Sequence, residues 1–223
     1  TDGSLACLAK GRELAAASGA SLAASVLGTG IGEVARTLGT RGADVVYAGD
    51  DPRLASYLTT PYKKVLADLV RQRAPSVVLM PASTVGNDLA PALATEVSAA
   101  CVLDAHSASW DSGSPGSLVF GRPEFDRQVM TRYCAVAGKS VVATLRDVGA
   151  QRAEPDPSRR AEVVRMAVAL DDLPPTAKIL RRDVVQKTVN LRDAPVIVAG
   201  GAGAGSKEGF RQIEELALAL GGE

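Results

Sequence analysis

Short apolar runs alternate with segments of helical apolar spacing through the first hundred residues, and that alternation restricts the fold more than any other feature of the chain. Residues 21–27, 43–49, 76–82 and 101–107 are apolar and often β-branched, the pattern of buried strands. Between them lie helical patterns. In 4–18 Leu5, Leu8 and Leu14, with alanines between, give helical periodicity, with Ser4 as the expected cap and Gly19 as the stop. A second helix is expected over 33–40. A third covers 62–73, with Val65, Leu66, Leu69 and Val70 on one face. A fourth covers 85–99 and starts at Ser83 or Thr84. Strands separated by helices predict a parallel sheet with helices on both faces.

The pattern changes after Trp110. A turn cluster at 111–116 is followed by extended runs at 118–120, 128–136, 140–145 and 162–169 with little helix between them. These predict antiparallel strands on a sheet edge or a small β layer. Residues 171–175 read as a break, and 178–190 as a weakly alternating extended segment leading to a linker. A second unit then opens at 195–210: a buried strand ending in four glycines (Gly200, Gly201, Gly203 and Gly205), the polar cap Ser206 and a helix.

Composition excludes several classes. The chain is 46% apolar and long enough for a real core, so it is not a disordered segment. Lys plus Arg balance Asp plus Glu at 25 each, which gives no field for nucleic acid, and the pairs Arg159-Arg160 and Arg181-Arg182 read as solvated surface. Cys7, Cys101 and Cys134 are far apart and form no metal-ligand spacing. A sparse, odd count fits a reducing compartment. No apolar run approaches the about 20 residues of a membrane span, and no secretory leader is visible.

The candidate chemistry is mostly phosphate-shaped. A glycine turn between strand and helix offers backbone N–H groups and the positive end of a helix dipole to an anion. In the 200–205 turn the nearest dinucleotide register is Gly201-x-Gly203-x-x-Ser206. The acidic partner expected about 20 residues on falls at or past Glu223. The second glycine turn, 28–32, reads as a tight turn rather than a phosphate loop. Asp50 and Asp51 before Pro52 read as caps. His106, the one histidine, has no triad partner in sequence. Cys134 reads as core packing. Arg122 and Arg146 stand at strand ends, either in a cleft or paired. No nucleophile, metal cage or acid–base pair emerges, which suits a protein whose cofactor does the chemistry.

Four stretches together resemble the alpha subunit of electron-transfer flavoproteins, the FixB-like group, over nearly the whole chain. They are 45–54 (a strand and an acidic-Pro loop), 77–94 (a strand, then Gly86-Asn-Asp88-Leu89 opening a helix), 142–146 (a strand ending Thr144-Leu-Arg146) and 196–210. The resemblance implies an α/β fold. Its first part is a parallel-sheet, nucleotide-binding-like domain at 1–190 that pairs with the beta subunit and carries an added antiparallel portion. Its second, 191–223, is the first strand, turn and helix of a Rossmann-like FAD domain. It also implies an electron carrier without substrate turnover of its own. Such a subunit takes electrons from flavin dehydrogenases, often of the acyl-CoA type, and passes them to a quinone-linked or other acceptor. The implied cofactor is FAD, near Gly200, Gly201, Ala202, Gly203 and Ser206. The family usually has Arg where this chain has Ala202, so weaker or altered FAD binding is expected. The family also opens on a strand before its first helix and carries later flavin motifs, so both ends read as cut. A cytoplasmic bacterial or mitochondrial-matrix setting is implied, with no membrane insertion. The alternatives are a non-enzymatic nucleotide-binding or dimerisation module using the 28–32 turn, or an NAD-dependent dehydrogenase.

Overall fold

The computed structural model describes residues 1–114, 116–136, 138–146, 155–174, 177–181, 183, 191 and 194–223. They form two units, Thr1–Ala177 and Lys178–Glu223. In the first, α1 (Asp2–Ser18) is closed by Gly19 in a left-handed conformation, φ 68°, which glycine adopts without steric cost. Its cap is Thr1 rather than Ser4: the Thr1 hydroxyl accepts from the Ser4 amide, which places Ser4 inside the first turn. There follow β1 (Ala23–Gly28), α2 (Gly32–Thr40), β2 (Val45–Asp50), α3 (Thr59–Arg73), β3 (Val77–Pro81) and α4 (Thr84–Glu96). The last is capped by Ser83, which accepts from the Gly86 amide.

Next come β4 (Ala100–Ala105), β5 (Ser107–Trp110), β6 (Leu118–Glu124), β7 (Val129–Cys134), β8 (Val141–Leu145) and β9 (Glu162–Arg165). The strands form three sheets. Two are parallel, in the orders β1-β2-β9 and β3-β8-β4. The third, β5-β6-β7, is antiparallel. The antiparallel portion expected after Trp110 is therefore present, but it takes only part of the predicted set. Strand β8 lies between β3 and β4 and runs parallel to both, and β9 runs parallel to β2. All five β8 residues are buried, as a strand covered on both faces requires.

Helices cover both faces. Leu8 of α1 joins Ile31 and Ala35 over Val46 and Ala48 of β2. On the other face α3 and α4 place Ala67, Val70, Leu89 and Leu93 against Met80 and Val142. A third cluster joins Cys7 and Leu14 of α1 to Val141 and Ala143 of β8 and to Phe120 of the antiparallel sheet.

In the second unit α5 (Lys207–Ala219) is capped by Ser206, as expected. The run before it is not the buried strand that its β-branched residues predict: residues 194–200 carry no strand pairing, and Ile197 is 54% exposed. A strand needs neighbours to close its ladder. Here Val198 donates to Glu223 O at 2.8 Å and Glu223 donates to Val196 O at 3.1 Å. Arg182 and most of the expected extended segment 178–190 lie outside the described residues.

Candidate functional site

Strands β4 and β8 end side by side, at the strand ends where open α/β sheets receive ligands. Asp104, one residue from the end of β4, has φ 56°, an unfavourable region for a residue with a side chain. Three side chains hold it there. Its amide donates to the hydroxyl of fully buried Thr144 at 2.8 Å. Its carboxylate accepts from Asn87 Nδ2 and pairs with Arg146 Nε, both at 3.2 Å. Asn87 opens α4, while Thr144 and Arg146 close β8. Two stretches singled out separately in the sequence thus meet on one carboxylate that sequence reasoning missed. The signal was present: a Thr-x-Arg strand end beside an acidic strand end.

Asp104 heads an open cleft of about 780 Å³ whose other walls include His106, Arg122, Glu124, Phe125 and Arg127. His106, Arg122 and Arg146, separate in sequence, come together here. Arg122 pairs with Glu124 at 2.5 Å and stacks over the Tyr133 ring at 5.2 Å. Glu124 also accepts from Tyr133 Oη at 2.5 Å and Thr131 Oγ1 at 2.9 Å. The Tyr133 bond first, then Thr131 and Arg122, holds the Glu124 carboxyl down at about 2. This network clamps the base of the β6–β7 hairpin. Its tip, Phe125-Asp126-Arg127, has three consecutive positive φ values of 51°, 54° and 68° and leaves Phe125 74% exposed. Three arginines face three carboxylates around the cleft, so it presents local polar contacts rather than a net field.

The remaining motif residues position elements. A β-carbon on Gly86 would fall 1.9 Å from Pro81 O, so only glycine fits the entry to α4. Asp88 accepts from Tyr57 Oη at 2.5 Å and Thr59 Oγ1 at 2.6 Å, tying α4 to the loop before α3. Burial first, and then the Asp88 bond, push the Tyr57 hydroxyl up to about 12. Asp51 caps the 3-10 turn Pro52–Leu54. It also pairs with Arg53, which reaches on to Asp171.

The two glycine turns differ in kind. In 28–32 the amides that a phosphate would take are filled from within: Asp50 accepts from Gly30 N at 2.8 Å and Ile31 N at 3.2 Å. This is the tight-turn and capping arrangement expected for those residues. In 200–205 the glycines divide their work. A β-carbon on Gly200 would meet Phe210 and Ile213 at 2.9 Å, so Gly200 lets the chain pack on α5. Gly205 takes φ 67°. Gly209, which the sequence did not mark, would otherwise collide with Ala204 O at 2.1 Å. Gly201 and Gly203 face open space, leaving their backbone uncovered. Ala202 brings no cation. Ser206 Oγ is taken by the Gly209 amide at 3.1 Å, and the first-turn amides of Lys207 and Glu208 have no intrahelical acceptor. Cys134 is exposed on β7 rather than packed in a core; its strand residues alternate between a half-buried and an exposed face, and Cys134 falls on the exposed one. No group of three or more His, Cys, Asp or Glu among the described residues has metal-binding geometry.

Parallel sheets covered by helices on both faces, an added antiparallel sheet and a polar cleft at the strand ends define a nucleotide-binding-like α/β module. The electron transfer flavoprotein domain model matches residues 1–171, and the chain belongs to that family. It is 32% identical to the electron transfer flavoprotein subunit alpha of Thermoanaerobacterium thermosaccharolyticum, over 96% of this chain and 65% of that protein. It is 34% identical to the Bacillus subtilis subunit of the same name, over 88% of this chain and 59% of the relative. It is 33% identical to Protein FixB of Clostridium saccharobutylicum, over 98% and 65%. The chain thus spans less than two thirds of each of these relatives. No helix among the described residues is long and apolar enough to cross a membrane.

Proposed function

We propose that this chain is the alpha half of a heterodimeric FAD flavoprotein that carries electrons from flavin dehydrogenases, of the acyl-CoA type, to a quinone-linked or other acceptor oxidoreductase. The observation that carries the reading is similarity across 96% of the chain to a subunit named for electron transfer. In this reading residues 1–190 pair with the beta subunit, and residues from 191 onward open the FAD domain. The setting is the cytoplasm of a bacterium.

The residues of the 200–205 turn suit a phosphate of the dinucleotide. Gly201 and Gly203 leave backbone uncovered where a side chain would obstruct an approaching group, and α5 begins directly after Ser206. Gly200 and Gly209 hold the turn against α5, and Ser206 fixes the direction of the helix. Ala202 supplies no charge, which predicts looser retention than an arginine would give. Bound flavin supplies reversible one- and two-electron chemistry; the chain's part is to hold and orient it.

The test is co-expression of the full subunit with its beta partner, followed by absorbance spectroscopy and size-exclusion chromatography. A yellow heterodimer is expected, and Gly201→Val should loosen flavin without unfolding the protein. A colourless, unpaired full-length subunit would overturn the reading.

A further inference from the structure

We propose that the cleft at the ends of β4 and β8 binds a small organic oxyanion, a carboxylate or phosphate on an apolar body, through Arg146 and Arg127.

The cleft volume of about 780 Å³ falls in the range of small-molecule sites. All of its lining lies in the first unit, outside the residues assigned to the flavin. The charged groups of that lining form two layers. The inner one is fully engaged. Arg122 gives Nε and one Nη to Glu124 and its other Nη to Leu103 O. Glu124 uses both oxygens on Arg122, Thr131 and Tyr133. Neither has a donor or acceptor left for a ligand.

The outer layer is open. Asp104 meets Arg146 at Nε alone. Among the described residues the two Nη atoms of Arg146 have no partner, and its side chain is 57% exposed. A guanidinium held at Nε keeps its end-on fork, two parallel donors that a carboxylate or phosphate accepts together. The fork is aimed in advance. Asp104 orients Arg146 and is itself fixed by Thr144 and Asn87. An anion therefore meets a group that has already lost much of its rotamer freedom, which lowers the cost of binding.

Arg127 comes from a different element, the tip of the β6–β7 hairpin. It lines the same cleft and has no partner among the described residues. The imidazole of His106 is equally uncommitted. Phe125, next to Arg127 in the tip, offers its exposed ring to the apolar body of a ligand. Because the lining arginines and carboxylates balance, no net field gathers bare ions. Binding rests on the oriented donors and the ring together, which selects an organic anion over an inorganic one. Asp126 is the carboxylate of the tip, and it is exposed where water and salt screen its repulsion.

The test is titration of the chain with phenyl phosphate and with benzoate, followed by nitrogen-15 NMR of the arginine side chains. Inorganic phosphate and sodium chloride serve as comparisons at matched ionic strength. At least one organic probe should shift the Arg146 and Arg127 Nε signals and the Phe125 ring in a saturable way, and the tighter probe tells whether the site takes phosphate or carboxylate. Inorganic phosphate should bind about two- to tenfold more weakly than phenyl phosphate, for want of a ring contact. Arg146→Lys keeps the charge and removes the fork, and Arg127→Gln removes a charge that holds nothing else in place. Each should weaken binding about tenfold. The proposal is overturned by shifts that sodium chloride reproduces, by signals that never saturate, or by inorganic phosphate binding as tightly as the organic probes. Unchanged affinity in Arg127→Gln also overturns it, and that variant decides the matter even where Arg146→Lys disturbs the Asp104 junction.

Discussion

Replacing Thr144 with valine tests whether the Asp104 junction is a fixed piece of architecture. Thr144 is fully buried, and its hydroxyl accepts the Asp104 amide at 2.8 Å. Valine keeps the shape and removes the acceptor, so no cavity forms. The cost is that of leaving a partly buried amide unpaired, about 1–3 kcal/mol. The Asp104 backbone also sits at φ 56°, a region that costs about 1–2 kcal/mol for a residue with a β-carbon, and without the hydroxyl less holds it there. A loss of about 2 kcal/mol should lower Tm by about 4–8 °C for a unit of this size. Thr144→Ser keeps the acceptor and loses only a methyl group, so about 1 kcal/mol is expected. The assay is urea unfolding of the chain and both variants, with chemical shifts of Asp104, Asn87 and Arg146 as the local readout. If valine costs no more than serine, or if those shifts stay put, the hydroxyl does not hold the junction.

Gly86→Ala should cost about 3 kcal/mol or more, read as loss of the cooperative transition, because its methyl would overlap Pro81 O. Asp50→Ala should free the Gly30 and Ile31 amides, lower stability by about 1 kcal/mol and make Tm rise more steeply with added sulfate than in the unaltered chain. The clamp on the β6–β7 hairpin should persist into acid. Its carboxyl has a folded value of about 2, below the usual carboxylate range. Its stabilising effect is therefore complete above the unfolded value and is lost only as pH falls through the folded one. A carbon-detected titration of Glu124 and Tyr133 should find the pair intact at pH 4 and released near pH 2.

Local chemistry was the most legible part of the sequence. Gly19, Ser83 and Ser206 mark helix ends because a cap depends on a few neighbouring residues. Sheet order was less so. Val141–Leu145 sits among antiparallel strands in sequence and inserts between β3 and β4 in space, a choice made by distant partners. The continuous apolar run of β8 was the available clue. Cys134 went astray because a strand's period tells which residues share a face, not which face is covered. At the cleft, His106, Arg122 and Arg146 could each be noted, whereas Asp104 showed only as an acidic strand end. Its importance lies in a left-handed backbone and in partners 17 and 40 positions away.

The Asp50 bonds decide what the 28–32 turn can offer an anion. At the turn where such sheets so often greet a phosphate, the polypeptide brings its own anion, tethered and always at hand. A free phosphate group would have to compete with a carboxylate whose effective concentration is set by covalent attachment, in the millimolar range or above. A phosphate would reach the Gly30 and Ile31 amides only by displacing the Asp50 carboxylate.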